Sequence, residues 1–261
     1  MYGFFLALLI TLGVPELPLP PFGIARVKTE RKVVALTFDA CATTLQDNDF
    51  DRRIWDILKK EAVPVTIYLS GRWVETHFTE AKELAAAPFV EFGNHSYAHP
   101  RLSQVSPNRL RNEIELTQAL IREPLGKPAL TLRPPAGAWN ANVVRAARKQ
   151  NLPVVLWDVV SGDAGGHIPA ARMVEVVLAE TKPGSILIFH INGRGPFTHD
   201  AILPILDGLR EKGFDFVTVS SLLSEHRNSL VRAKPSVFGF QRLKKRKNPS
   251  ENEEGHANNA P

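Results

Sequence analysis

The sequence predicts an α/β fold built on a parallel sheet, and two observations carry that expectation. Short apolar runs alternate with amphipathic stretches along most of the chain, the order that feeds strands and crossover helices into one sheet. Several of those runs, VVALTF and SILIF among them, are continuously apolar instead of alternating, which marks strands covered on both faces. No glycine-rich phosphate loop follows any strand, which weighs against a nucleotide-binding doubly wound sheet and leaves a (β/α) barrel as the alternative.

In chain order the strands fall at 33–38 (VVALTF), 65–69 (VTIYL), 90–93 (VEFG), 130–133 (LTLR), 154–157 (VVLW), 185–189 (SILIF) and 214–219 (FDFVTV). Helical patterns fill the gaps at 52–61, 79–87, 107–123, 141–150, 170–181 and 201–212. Asp51, Ser106 and Asn140 stand where N-caps belong, because their short side chains can accept from the first free backbone N–H groups of a helix.

The 261 residues, 44% of them hydrophobic, suit one sizeable domain, placed at 32–226. Net charge is +5, of which the segment RLKKRK and its neighbouring glutamates in the tail contribute two, so the body is too weakly basic to argue for nucleic acid. One cysteine rules out an internal disulfide framework. Residues 1–31 form a hydrophobic leader and lead-in. The run from Tyr2 to Val14 is short for a membrane span and fits the core of a secretory signal, though no Lys or Arg precedes it and no small-x-small cleavage site follows. Export to the periplasm, wall or medium is the expectation, with a cytoplasmic location left open, and this segment is the one suited to membrane contact. Residues 227–261 read as a polar, charged, disordered tail.

In a barrel, chemistry gathers at the C-terminal ends of the strands. Asp39 follows the first strand, His95 and His99 the third, Arg133 the fourth, Trp157, Asp158 and Asp163 the fifth, and His190 the sixth. Each has a bland explanation alone, as a cap, a loop residue or core. Their recurrence at corresponding positions does not.

These motifs resemble the polysaccharide deacetylase family (the NodB-like domain, carbohydrate esterase family 4). They are TFDA around Asp39, His95-Ser96-Tyr97-Ala98-His99, Arg133-Pro134-Pro135-Ala136-Gly137, Trp157-Asp158 with Asp163, and the apolar strand ending in His190. The resemblance covers about residues 32–223. It implies a distorted (β/α) barrel of about seven parallel strands and metal-dependent removal of N-acetyl groups from an amino-sugar polysaccharide, peptidoglycan or chitin-like. It makes Asp39 the general base and His190 the general acid, with one divalent metal, zinc or cobalt, on His95 and His99.

The departure is Ala40, which stands where the family's TFDD carries a ligating carboxylate. Candidate replacements lie in the long loop that follows: Cys41, Asp47, Asp49 and Asp51. Asp51 is the first choice because it would open the next helix on the same barrel face. Its bland role is an N-cap, and the two are compatible. Cys41 reads better as a small buried residue than as a thiolate, and Asp39 could itself ligate. The spacing of His95 and His99 suits one face of a helical turn. Arg133 would pair with Asp39 or with substrate oxygen, and Trp157 offers a flat wall for a sugar or is core. Asp158 or Asp163 would orient His190, with Asp163 favoured. Asn192 and Arg194 would line the cleft.

Two rival functions follow from Ala40. One is hydrolysis of a small amide, an imide or an O-acetyl ester on the same scaffold. The other is glycan binding without catalysis, against which the retained Asp39, Arg133 and His190 speak.

Overall fold

The computed structural model describes residues 19–42, 49–225 and 229–233; most of the leader, Asp47 and the basic tail lie outside them. The elements run β1 (Ile24–Val27), β2 (Val33–Ala40), α1 (Arg52–Glu61), β3 (Val65–Leu69), α2 (Gly71–Thr76), α3 (Phe78–Ala86), β4 (Val90–Asn94) and α4 (Pro107–Leu125). They continue with β5 (Ala129–Leu132), α5 (Ala141–Lys149), β6 (Val159–Val160), α6 (Ala170–Glu180), β7 (Ile186–His190), α7 (Thr198–Glu211), β8 (Asp215–Phe216), α8 (Val219–Glu225) and β9 (Leu230–Arg232).

The large sheet has the order β5-β4-β3-β2-β7-β6, with β8 beside the start of β2, and its pairings are parallel. Isolated bridges close it toward a barrel: Leu132 with Val154, Ile24 with Val155, and Arg26 with Ser185. The run 154–157 is therefore no regular strand, and the barrel is distorted where it closes. The antiparallel pair of β1 with β9 buries Ile24 and Val27, so the folded unit reaches beyond both ends of 32–226.

β2 lies at the centre, and all eight of its residues are buried. Its side chains alternate between faces. Val34, Leu36, Phe38 and Ala40 join the main core against α1, α3, α6 and α7, while Val33 and Ala35 join the cluster inside the barrel. Asp39 shares the inner face.

The three expected caps form. Asp51 accepts from the Arg53 N–H, Ser106 from Arg109, and Asn140 from Asn142 and Val143. α4 continues through Pro124, which forfeits one i→i−4 hydrogen bond near the helix end, to an αL cap at Gly126. The expected strand at 214–219 shortens to two residues because α8 begins at Val219. Thr66 Oγ1 accepts from the Val219 N–H and Glu91 from the Ser220 N–H, so distant side chains satisfy the helix start.

Candidate active site

Parallel pairing sets Asp39 of β2 opposite His190 of β7, which brings two strand-end residues together across one hydrogen-bonded rung. Asp39 is buried. Its Oδ1 accepts from Arg133 Nη1 at 2.7 Å, and its Oδ2 lies 3.5 Å from His95 Nε2. Burial pushes this carboxyl up, but His95, Arg133 and His190 outweigh that and hold it below the ordinary carboxylate range. Arg133 is the permanent charge among them, because burial keeps His95 neutral.

Arg133 is not a surface arginine; it is fully buried. Its guanidinium lies 3.9 Å from the Tyr68 ring centroid and 5.6 Å from that of half-buried Trp157, and Nη2 donates to the Leu156 carbonyl at 3.2 Å. These contacts hold the cation in place without competing for Asp39.

His95 donates from Nδ1 to the Arg133 carbonyl at 2.8 Å, so its neutral form carries an unprotonated Nε2 facing Asp39. Two acceptors facing each other at 3.5 Å leave a place for a cation between them or beside them. His99 packs edge-on to His95 with ring centroids 5.0 Å apart, and burial, then His95, pushes its imidazole down to about 3.

The expected helical turn does not hold this pair. Residues 95–99 form an irregular loop in which Ser96 (φ 62°) and His99 (φ 58°) adopt left-handed backbone. Glu113 stabilises it by accepting from the Tyr97 and Ala98 N–H groups at 2.9 and 2.8 Å. Sequence reasoning missed Glu113, although an acid on the buried stripe of Leu110, Ile114, Thr117 and Ile121 is a legible anomaly.

Among the described residues, Cys41, His95 and His99 present ligand atoms that lie within 4.8 Å of one another. Burial pushes the Cys41 thiol up to about 12, while Asn192 Nδ2 donates to its Sγ at 3.1 Å and Arg194 hydrogen-bonds it. Asn192 also donates to the Cys41 carbonyl at 2.7 Å and is itself buried, so it braces the cysteine instead of lining an open cleft. Asp51 is turned elsewhere. Its carboxylate caps α1, accepts from the Arg53 side chain at 2.9 and 3.1 Å, and lies 3.9 Å from His199.

Of the two candidate carboxylates, Asp163 is the one in contact with the His190 ring. Asp163 Oδ1 accepts from Nδ1 at 3.0 Å and Oδ2 from the His190 backbone N–H at 2.6 Å, with Thr198 Oγ1 donating to Oδ2 at 3.3 Å. Burial pushes the imidazole down, and Asp163 and Asp39 together push it up by more, so the net direction is up. A Cβ at Gly195 would stand 2.1 Å from Thr198 Oγ1 and 2.9 Å from Asp163 Cβ, so only glycine lets the 191–197 loop pass. Asp158 is not part of this group: it accepts from the Ile186 N–H at 2.8 Å and from Ser185 Oγ at 2.9 Å.

A buried carboxylate paired with an arginine, an imidazole paired with a second carboxylate, and nitrogen and sulfur atoms beside them meet at the strand ends of a (β/α) scaffold. The polysaccharide deacetylase family profile matches residues 26–155. A peptidoglycan-N-acetylglucosamine deacetylase of Bacillus cereus is 34% identical over 191 residues, covering 72% of this chain and 67% of the relative. A solved peptidoglycan N-acetylglucosamine deacetylase superposes with a TM-score of 0.70 at 30% identity, over 76% of this chain and 91% of that one. A CE4 family pseudoenzyme from Bacillus anthracis superposes with a TM-score of 0.71 at 29% identity, over 81% and 72%. The chain belongs to the polysaccharide deacetylase family, and so to hydrolases that act on amide bonds other than peptide bonds.

Proposed function

We propose that this chain is a metal-dependent deacetylase that removes N-acetyl groups from an amino-sugar polysaccharide, peptidoglycan or a chitin-like glycan, in or near the cell wall. The observation that carries the reading is the rung that pairs Asp39 with His190, one group pushed toward its ionised form and the other toward its protonated form. A divalent cation on His95 and His99, zinc or cobalt, would supply a Lewis acid toward the acetamide carbonyl. The neutral imidazoles and the unprotonated Nε2 beside Asp39 suit such a cation.

Asp39 takes a proton from the attacking water, and Arg133 keeps its carboxylate ready by pairing with Oδ1. His190, anchored through Nδ1 by Asp163, gives a proton from its other nitrogen to the amine as the C–N bond breaks. Acetate and the free amino sugar leave. Trp157, half-buried beside Arg133, offers an apolar wall to a pyranose ring, and Arg194 is exposed at the rim.

The relatives' names support the peptidoglycan assignment, and their wall substrate is the ground for an exported location. No helix of the described residues is long and apolar enough to cross a membrane.

Acetate release from chitooligosaccharide and from N-acetylated peptidoglycan tests the proposal, run before and after chelation and with zinc or cobalt added back. Acetate that disappears on chelation and returns with metal is the expected result. Turnover of small amides with no acetate from either glycan would replace it with the small-substrate rival. Glycan binding with no acetate under any condition would leave the non-catalytic binder; the Bacillus anthracis neighbour is a pseudoenzyme of the same family.

A further inference from the structure

We infer that Cys41 is the third protein donor of the metal site, so that a thiolate replaces the carboxylate lost at position 40. This rests on the metal-dependent reading above. The argument begins with the pleat of β2. Side chains alternate, so Asp39 and the residue two positions on share a face while Ala40 points away. Ala40 and Ala42 both pack into the main core with Phe38, on the face opposite Asp39. Cys41 returns to the inner face, where its Sγ and the ring nitrogens of His95 and His99 form a group spanning no more than 4.8 Å.

A tetrahedral zinc site with bonds of about 2.3 Å to sulfur and about 2.0–2.1 Å to nitrogen puts its donors roughly 3.3–3.6 Å apart. The observed limit of 4.8 Å exceeds that spacing by about 1.2 Å. Asn192 Nδ2 and the Arg194 side chain both donate toward Cys41 Sγ, the outer-shell support a metal-bound thiolate uses. Asp51, the carboxylate alternative, is committed to Arg53 and its own helix. On binding, the thiol S–H bond is replaced by a sulfur–metal bond and the proton leaves to solvent, with no change of oxidation state. One thiolate and two imidazoles favour zinc or cobalt over the oxygen-seeking magnesium and calcium, and three donors leave one position open for chemistry.

The test loads the purified full chain with cobalt(II) and records the near-ultraviolet thiolate-to-cobalt charge-transfer band. Metal affinity is then titrated for wild type, Cys41→Ser, Cys41→Asp and His95→Ala. The expected result is a band in wild type, metal affinity reduced more than ~100-fold in Cys41→Ser, and recovery in Cys41→Asp, with thermal melts confirming that each variant folds. Stoichiometric cobalt that His95→Ala abolishes, with no band and no effect of Cys41→Ser, would overturn the thiolate while leaving the metal-dependent reading intact. No metal bound by wild type would overturn both.

Discussion

Asp158 and Asp163 stand five residues apart and end at opposite ends of β7, about 13 Å from each other along the strand. Asp163 is buried and Asp158 lies at the surface with its carboxylate partly sheltered, yet both accept from the backbone of that strand. Asp158 takes the Ile186 N–H at its start, Asp163 the His190 N–H at its end. The difference lies in what else each one touches. Asp158 meets Ser185 Oγ, with Arg26 at 3.7 Å, so it ties strand start to loop. Asp163 meets an imidazole that itself faces Asp39 and the cluster of His95, His99 and Cys41. A carboxylate anchored to a strand backbone is therefore not in itself a sign of chemistry. Its partner decides whether it holds the fold or sets a proton.

The comparison breaks most visibly at Asp39. Asp39→Asn should cost about 10³-fold in acetate release while circular dichroism shows the folded chain, since the proposed base is removed and the barrel is not. Retained activity would move the base elsewhere.

Asp163→Asn comes next. In the proposed mechanism His190 serves as acid only while protonated, so activity should fall as pH rises through its pKa. Asp163, with a further contribution from Asp39, lifts that pKa against burial. Its removal should pull the alkaline limb of kcat/KM to lower pH and reduce the rate by roughly tenfold or more. A pH profile that stays in place would reduce Asp163 to packing.

At the other end of β7, Asp158→Ala should leave the rate per folded molecule within about twofold. It should lose about 2 kcal/mol in urea denaturation, because the Ile186 N–H and Ser185 hydroxyl lose their acceptor. A large kinetic effect with unchanged stability would invert the contrast. Ser185→Ala, which removes one donor to the same carboxylate, should cost about 1 kcal/mol and leave the pH profile untouched.

Much of this was legible in the chain. Continuous apolar runs gave β2, β3 and β7 nearly to the residue, and the helix at 52–61 with its Asp51 cap emerged as expected. The strand-end residues were legible because a parallel fold exposes one end of every strand to the same mouth. The third donor was harder. Period-two alternation on β2 assigns Cys41 to the face of Asp39, but only once the strand is known to stay extended through Ala40. Asp51 looked suitable because a helix start lies on that rim, and its carboxylate is spent on Arg53. Glu113 and Tyr68 went unseen because their roles arise from contacts across the fold. The two-residue β8 and the early start of α8 likewise depend on Glu91 and Thr66, far away in sequence.

By itself, the sequence determined the succession of strands and helices, the caps, and which reactive groups stand at the strand ends. Periodicity and capping act over a few residues and need no distant partner. Tertiary structure alone decided who pairs with whom: Arg133 with Asp39 across 94 residues, Asn192 with Cys41 across 151, and Asp163 instead of Asp158 with His190. Those pairings set burial and charge around each group, and burial and charge decide whether a carboxylate is a base or a brace.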